Sequence, residues 1–399
     1  MSSPRKLVLL TLFLSAILVM PTGCWSSKEI EDVALFTGIA LDKGQPAPIE
    51  KEFESKGATY SKRNKVMATL QLVPFKSQKK QGKKQNDQKS TFLNISGSGD
   101  SILEILRQFS IRLDRPLMGH HLKVIIISVD LLRKQSIEQL TDFLLRDNEI
   151  RPSTLVYVSQ GPARETLMSK KLNEVPSFHL SKAVRNRSRT SKVLKPITLS
   201  RLDSLTHSKK SFVLQTLVTG GGELELSGAS IINGSTGQWI GSLNQENTEC
   251  LAWLSGDRNA GVIKTDDWNG ETITYEIKSL RSKITPQVKG DQISFQVEIH
   301  TLGRLIETWD EQSHPTTNDY ANALDKRLED KLAAMMEELM VKLQSKYKSD
   351  VAGFGRRLAI ENPAAWKKVK EDWDNVFSRS EITFAIKVRI NDFGSFTED

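Results

Sequence analysis

Residues 96–132, SGSGDSILEILRQFSIRLDRPLMGHHLKVIIISVDLL, contain the signals for a helix and then for a buried strand. Ser101 and Glu104 have the spacing of a capping box, and the apolar residues that follow predict a helix over residues 101–112. Lys123–Ser128 is a short run rich in β-branched residues, which is typical of a strand that is buried on both faces. The stretch therefore indicates a layered fold in which helices cover a sheet.

The neighbouring residues extend this alternation of helix and strand. Ser136–Arg146 has helical periodicity, and residues 153–159, STLVYVS, read as another strand, so we expect a parallel βαβ unit with a right-handed crossover. Pro162 then begins a further helix, because proline is favoured in the first helical turn. Upstream, Val33–Leu41 and the alternating Lys65–Val73 are expected to pair as antiparallel neighbours.

The composition changes over residues 180–210, which are rich in serine, lysine and arginine and only weakly periodic. We expect a domain boundary here, between an N-terminal α+β region 24–210, which has room for two subdomains, and a C-terminal α+β domain 211–399. Strands and helices are partly segregated in the second half, so the predicted fold class is α+β, multidomain, with mixed β-sheets packed with helices. The elements expected there are strands at 211–218, 223–233, 237–243 and 381–390, two long strands within 272–303, a glycine turn at 220–222 and a helix over Gln245–Leu254.

Two further helices are expected near the C-terminus. Over residues 318–348 apolar side chains recur at steps of three and four, so one stripe of this amphipathic helix should be buried. We interpret the stripe as core packing, with a partner-binding face as the alternative. Asn362 and Pro363 are typical of an N-cap and a first turn. The apolar side of the helix that they begin consists of Trp366, Val369, Trp373 and Phe377.

The N-terminus has the pattern of a secretory signal peptide, predicted over residues 1–23. Arg5 and Lys6 precede an apolar run from Leu7 to Met20. At 1.5 Å per residue this run spans about 21 Å, which is shorter than the roughly 30 Å hydrocarbon core of a bilayer. The length therefore suits a signal sequence better than a membrane-spanning helix.

Cys24 follows this run and is one of only two cysteines in the chain. Its position after the small residues Thr22 and Gly23 resembles a bacterial lipobox, although Pro21 stands where an aliphatic residue is usual. In a lipobox the cysteine receives a diacylglycerol, and two or three acyl chains hold a protein on a membrane. Cys24 is thus the predicted lipidation site; the alternative is a secreted protein with a free thiol. We expect Cys250 to be a buried small hydrophobic residue.

The net charge of +8 and the pI of about 9.2 suit an anionic partner, either nucleic acid or a membrane surface. Six lysines lie in one tract, KSQKKQGKKQNDQKS at residues 76–90, which we interpret as a solvated loop. No aromatic residue interleaves with these lysines and no nucleic-acid motif surrounds them, so no nucleic-acid partner is predicted.

The sequence lacks the motifs of common enzymes. It contains neither a G-x-x-x-x-G-K-[ST] phosphate loop nor a G-x-S-x-G nucleophile elbow. Gly97–Gly99 precedes a helix and could receive an anion there, but the capping box accounts for it better. Asp142, Asp147 and Glu149 alternate with arginines near a helix end. We interpret them as a surface ion-pair cluster, with acid–base catalysis as the alternative.

A metal site is not expected either. His120 and His121 are adjacent, and on a strand they would point to opposite faces. No H-E-x-x-H motif is present, and two cysteines cannot form a cysteine-rich zinc site. We therefore predict no catalytic residue, no metal ligand and no cofactor. The remaining histidines are His179, His207, His300 and His314.

Three segments, taken together, resemble the spore germination lipoprotein family Ger(x)C. The first is GCWSSKEIEDVALFTGIALDKG at residues 23–44, and the second spans residues 98–167 with HLKVIII, DFLLRDNEIRP and QGPARETL. The third is NPAAWKKVKEDWDNVF at residues 362–377, which follows a long amphipathic helix and precedes an alternating strand. The residues that carry the first two matches are Cys24, Trp25, Glu29, Ile30, Gly38, Asp42, Gly99, Glu104 and Arg107.

This resemblance implies a multidomain α+β subunit that is not an enzyme and is lipid-anchored through Cys24. Family members lie on the outer face of the inner spore membrane and assemble with an A subunit and a transporter-like B subunit, both integral membrane proteins. The complex senses a nutrient germinant and triggers germination. We therefore expect the C subunit of a germinant receptor. The alternatives are an extracytoplasmic solute-binding lipoprotein of a transporter and, less favoured, a lipid-anchored hydrolase of the cell envelope.

Overall fold

The computed structural model describes residues 32–60, 62–63, 65–73, 91–168, 174–309 and 318–393. These residues form two β-sheets with helices packed on them. The predicted signal peptide, Cys24, the lysine tract and His314 lie outside the described residues. The α+β multidomain class expected from the sequence is confirmed.

The first sheet has nine strands in the described residues and is mixed. Its order is β3-β2-β1-β5-β6-β7-β8-β9, and the short β4 pairs with the start of β1. Strands β1, β5, β6 and β7 are parallel, whereas the strands at either side pair antiparallel. The strands are β1 Ala34–Lys43, β2 Val66–Leu72, β3 Leu93–Gly99, β4 Leu117–Met118, β5 Val124–Ser128, β6 Leu155–Ser159, β7 Phe212–Gly220, β8 Glu223–Ile232 and β9 Trp239–Leu243.

Helices cover both faces of this sheet. Ile125 and Ile127 of β5 pack on one face with the helices Ile102–Ser110, Ile137–Arg146 and Leu199–His207. Val124 and Ile126 pack on the other face with the helices Ala163–Thr166 and Pro176–Ala183, because alternate residues of a strand point to opposite sides. Every residue of β5 is buried, so the predicted two-faced strand and the predicted βαβ unit are confirmed. The helices are α1 Pro48–Ser55, α2 Ile102–Ser110, α3 Val129–Leu132, α4 Ile137–Arg146, α5 Ala163–Thr166, α6 Pro176–Ala183 and α7 Leu199–His207.

A buried ion pair ties α1 to β3. Lys62 Nζ lies 2.6 Å from the Glu50 carboxylate, and the two side chains are only 3% and 2% exposed. The backbone and hydroxyl of Ser98 and the backbone N–H of Ala47 also donate to Glu50. Burial alone would raise the pKa of Glu50, but the hydrogen bonds, that from Lys62 first, hold it below the ordinary value.

The second sheet has the order β10-β11-β12-β13, with β13 parallel to β12 and the other pairs antiparallel. Helices cover one of its faces, and the long hairpin of β11 and β12 forms its two central strands. The strands are β10 Gly261–Asp266, β11 Thr272–Lys289, β12 Gln292–Thr308 and β13 Glu381–Asp392, and the helices from here on are α8 Gln245–Leu254, α9 Asn318–Val341, α10 Phe354–Glu361, α11 Pro363–Val369 and α12 Trp373–Arg379.

Helix α8 joins the two sheets into one hydrophobic cluster. All residues of α8 from Asn247 to Leu254 are buried, and they pack with β8 and β9 on one side and with the second sheet and α9 on the other. Tyr347 makes a second connection, since its hydroxyl donates to the Ser242 carbonyl at 2.8 Å and its ring lies on Gly241. A Cβ at Gly241 would lie 2.0 Å from this ring, so the contact requires glycine.

Helix α9 covers the edge of the second sheet that β13 forms. Asp325 accepts a hydrogen bond from the Ile390 backbone N–H at 2.8 Å, and Glu329 accepts one from that of Val388 at 3.3 Å. These carboxylates occupy donors that a further strand would otherwise pair with. The apolar stripe of α9 from Leu324 to Leu339 is buried, so the core-packing interpretation is confirmed for it.

Three local expectations need correction. The helix expected over 318–348 is α-helical only to Val341 and continues as a π-helical turn over Lys342–Lys346. The helix after Asn362 is interrupted by a 3₁₀ turn, Lys370–Asp372, although Asn362 caps it as expected. Pro162 begins only a four-residue helix. Gly97–Gly99, which precedes α2, belongs to β3 and pairs with β2.

The domain boundary expected near residue 210 stays a prediction. Strand β6 precedes that position and pairs with β7, which follows it, so the first sheet takes strands from both sides.

The buried pair of Glu50 and Lys62 leads to a prediction about stability. We expect Glu50→Ala to lower the free energy of unfolding by about 3–5 kcal/mol, because it leaves the Lys62 ammonium buried without a counter-charge. Urea unfolding of the mature chain measures the change. Since the pKa of Glu50 is lowered, its contribution is present above the ordinary glutamate pKa and disappears as the pH falls through the lowered value.

The matched control is Glu52→Ala on the same helix. Glu52 pairs with Lys56 at 2.6 Å, but both side chains are mostly exposed, so we expect a loss below about 1 kcal/mol. Equal losses for the two variants would show that the buried pair does not hold α1 in place.

Candidate functional site

The start of β1 is the first strand end that follows Cys24 along the chain. The Ala34 backbone N–H donates to the Pro116 carbonyl at 2.9 Å, and Ala34 and Leu35 pair with β4. Cys24 lies outside the described residues, about ten residues before this strand, so an extended connection reaches at most about 35 Å.

Several connections meet at the same end of the first sheet. Strands β5 and β6 begin there because they are parallel to β1. The antiparallel β2 ends there and β3 begins there, with Leu72 paired to Leu93. These two strands are the ones that the lysine tract, outside the described residues, connects.

Asp42 joins the first and second segments that carry the family resemblance. Its carboxylate, at the other end of β1, accepts hydrogen bonds from the backbone N–H groups of Ala163 at 2.6 Å and Arg164 at 2.9 Å. Burial raises the pKa of Asp42, and these two hydrogen bonds oppose the shift. Gly38 leaves room for the same region, since a Cβ there would lie 2.9 Å from Leu167. The sequence contained no signal that these distant residues would meet.

Glu104 holds the start of α2 against β3. It accepts from the Asp100 backbone N–H at 2.7 Å, while Ser101 Oγ accepts from the Glu104 N–H at 3.2 Å. The expected capping box is thus formed in part, with its carboxylate bonded one residue before the N-cap. The hydrogen bonds of Glu104, like those of Asp42, give this residue a structural role.

The carboxylates near the end of α4 serve the backbone and the surface. Asp142 pairs with Arg146 at 2.9 Å on an exposed helix face. Asp147 accepts from the Glu149 N–H at 2.8 Å, and Glu149 accepts from the Gly119 N–H at 3.2 Å. The ion-pair interpretation is confirmed for Asp142, whereas Asp147 and Glu149 accept hydrogen bonds from backbone N–H groups instead.

The histidines are scattered over the described residues. His120 and His121 lie in a turn between β4 and β5, not on a strand as assumed from the sequence. Burial, with the positive charges of Lys123 and Arg151, lowers the pKa of His121. Across the described ranges no three His, Cys, Asp or Glu side chains are grouped to hold a metal ion. Outside these ranges His314 remains a sequence observation only.

Cys250 is fully buried within α8, as expected for a small hydrophobic residue. Burial raises the pKa of its thiol above the ordinary value, so it is a poor nucleophile.

Comparison with known proteins explains why these motifs occur together. Residues 26–219 match the family described as "Spore germination protein N-terminal domain", and residues 227–394 match "Spore germination B3/ GerAC like, C-terminal". Spore germination protein YndF of Bacillus subtilis (strain 168) is 38% identical over 388 residues, which is 95% of each chain. This chain belongs to the Ger(x)C family of spore germination proteins.

More distant relatives agree with this assignment. Spore germination protein B3 of Bacillus subtilis (strain 168) is 27% identical over 94% of each chain. The solved structure titled "Crystal Structure of the GerBC protein" is 26% identical and superposes with a TM-score of 0.60, over 84% of this chain and 97% of that one. Within the described residues of this Ger(x)C protein, no helix combines the length and the apolar character needed to cross a bilayer.

The contact between Asp42 and α5 leads to a second prediction. We expect Asp42→Ala to lower the free energy of unfolding by about 2 kcal/mol, because it leaves the N–H groups of Ala163 and Arg164 without their acceptor. Asp42→Asn keeps one acceptor oxygen and should lose less. Thermal and urea unfolding of the mature chain measure both variants.

Asp130→Ala is the control for this prediction. Asp130 is exposed and pairs only with Arg133 at 3.5 Å, so its loss should be below about 1 kcal/mol. If Asp42→Ala were as mild as Asp130→Ala, the contact would not hold α5 against β1.

Proposed function

We propose that this protein is the lipid-anchored C subunit of a spore germinant receptor. In this proposal Cys24 carries the lipid, and the domains lie on the outer face of the inner spore membrane beside integral A and B subunits. The complex responds to a nutrient germinant, and this subunit performs no catalysis. Its task is to contribute a folded, membrane-tethered surface to the assembly.

The observation that carries the proposal is the match along the whole chain. Both halves match spore germination families in their order, and a curated spore germination protein aligns with 95% of the chain. The curated relatives named spore germination proteins A3, B3 and KC align with this chain over at least 92% of their own length. They are therefore similar to it in length.

The geometry is consistent with a tether at Cys24. The start of β1 is fixed by backbone pairing with β4, so a short connection from Cys24 would present this end of the first sheet to a membrane. The four carboxylates described above, those of Asp42, Glu50, Glu104 and Asp142, act in ion pairs, caps and backbone contacts.

Replacement of Cys24 tests the anchor. We expect Cys24→Ala spores to lose the protein from the inner membrane fraction and to respond to germinant no better than spores that lack the protein, because no acyl chain can be attached. Fractionation of spore membranes and a germination assay measure the two effects. Unfolding of the purified mature variant should be unchanged, since Cys24 precedes the described elements.

Cys250→Ala is the matched control, because it removes the other cysteine from the interior of α8. This variant should stay in the membrane fraction and support germination. Membrane retention together with normal germination in the Cys24→Ala strain would contradict the lipid anchor.

A pull-down from detergent-solubilised spore membranes tests the partners. Recovery of two polytopic membrane proteins is the expected result. Recovery of a transporter permease with its ATPase would instead favour a solute-binding lipoprotein.

A further inference from the structure

A cleft of about 820 Å³ opens where α8 meets the second sheet. Its walls come from residues 188–192, α8, β10, β11 and α9, so it lies beside the connection between the two sheets. The volume falls in the range of pockets that hold small ligands, and such pockets are frequent at junctions of this kind. None of the sequence motifs pointed to it.

Glu249 faces this cleft and is unpaired. It is only 8% exposed, it lines the cleft, and no described residue donates a hydrogen bond to its carboxylate or forms an ion pair with it. Lys192 also lines the cleft, and its positive charge acts on Glu249, although no ion pair joins the two side chains. A carboxylate this buried is costly to leave without a partner.

Cations without partners line the same cleft. Arg258 has a buried Nε that no described group accepts from. Arg189, Lys192 and Lys264 also line the cleft, and no ion pair holds them among the described residues. The other charges of the lining are already matched.

Two pairs account for those matched charges. Glu276 pairs with Arg304 at 2.7 Å on the strand face, and Lys331 lies 3.7 Å from Glu246. What remains is one buried negative group and several positive groups that share one cavity.

Apolar side chains also line the cleft. Ile263 and Ile277 of the second sheet and Met335 of α9 line the cleft and are almost fully buried. A ligand that spans the cleft would therefore meet a carboxylate, a cationic group and an apolar wall.

We propose that this cleft binds a small zwitterion, whose ammonium pairs with Glu249 and whose carboxylate pairs with Arg258 and Lys192. A short apolar side chain would rest on Ile263, Ile277 and Met335. Both charges of such a ligand find partners that the protein alone leaves unpaired, and charge-assisted hydrogen bonds are the strongest available for this purpose. The site stands on its own geometry and does not depend on the proposed receptor role.

Glu249 also makes the site sensitive to pH. Burial raises the pKa of Glu249 to about 7, with Lys192 opposing and Glu246 adding to the shift. Only the carboxylate form can pair with an ammonium, so affinity should rise as the pH increases through this value and level off above it. The other charged groups of the lining are Glu276, Arg189, Arg258, Lys264 and Lys331.

Binding of L-alanine, L-valine and L-leucine to the mature chain tests the proposal. The readout is methyl NMR of labelled isoleucine and methionine residues, in which the signals of Ile263, Ile277 and Met335 should move together. We expect saturation below ~10 mM for at least one of the three, a range within reach for a weak small-ligand site. N-acetyl-L-leucine lacks the ammonium and isopentylamine lacks the carboxylate, and both should bind about tenfold more weakly or worse.

Glu249→Gln keeps the shape of the side chain and removes its charge. We expect an affinity loss of about tenfold or more and the disappearance of the pH dependence. The matched control is Glu337→Gln on α9, an exposed residue that is outside the cleft lining, and it should bind like the wild type. If Glu249→Gln does not fold, the pH dependence of binding to the wild-type chain gives the same test.

Several results would overturn the proposal. These are no methyl shift with any of the three amino acids, binding of N-acetyl-L-leucine or isopentylamine as tight as that of L-leucine, or affinity independent of pH. Because the test uses the purified chain, its result is separate from that of the germination and pull-down experiments.

Discussion

The burial of α8 from Asn247 to Leu254 is the constraint on which the arrangement of this protein depends. A helix that is covered all round must have a hydrophobic surface on every side of it. Here the first sheet supplies one side through β8 and β9, and the second sheet with α9 supplies the other. The two sheets therefore share a single hydrophobic cluster, although each has its own strand order. Cys250, at the centre of this helix, is explained by packing alone.

The same burial places unusual demands on the polar residues of α8. Asn247 sits between Glu338 and Lys342 of the C-terminal half, and its side-chain amide donates to the Glu338 carboxylate at 3.4 Å. Glu249, two residues later, has no such neighbour and faces the cleft instead. A buried charge is tolerated when a partner is available for it. The contrast between these two residues is the reason to regard the cleft as a site and not as a packing gap.

Strand β1 makes the corresponding connection within the first sheet. It pairs antiparallel with β2 and parallel with β5. It therefore joins the antiparallel strands β2 and β3 to the parallel strands β5 and β6. Its two ends differ in kind. The first end leads towards Cys24, and the second carries Asp42, whose carboxylate holds α5 over the sheet. A pull on the N-terminus would act on an interior strand of the sheet, because β1 pairs with β2 on one side and with β5 on the other.

Periodic patterns were the part of the fold that could be predicted from the sequence. The alternation in Lys65–Val73, the β-branched run before Ser128 and the stripe of α9 each repeat over several residues, and each element formed as expected. Helix α1 had no counterpart among the expectations, because half of its eight residues are charged and only Ile49 and Phe53 are large and apolar. What stabilises it is Lys62 buried against Glu50, and a pair of charged residues reads as solvent-exposed in any local pattern.

The candidate sites depended on long-range contacts, which local patterns do not encode. The family resemblance correctly selected Asp42 and Gly38, yet their reason for being there is the docking of a segment more than a hundred residues later. For Glu249 the local pattern was misleading. The sequence QENTECLAWL allows a helix with its glutamates exposed, and only the second sheet turns that side into an interior. The structure is therefore needed to identify residues whose role comes from tertiary burial and not from their neighbours in the sequence.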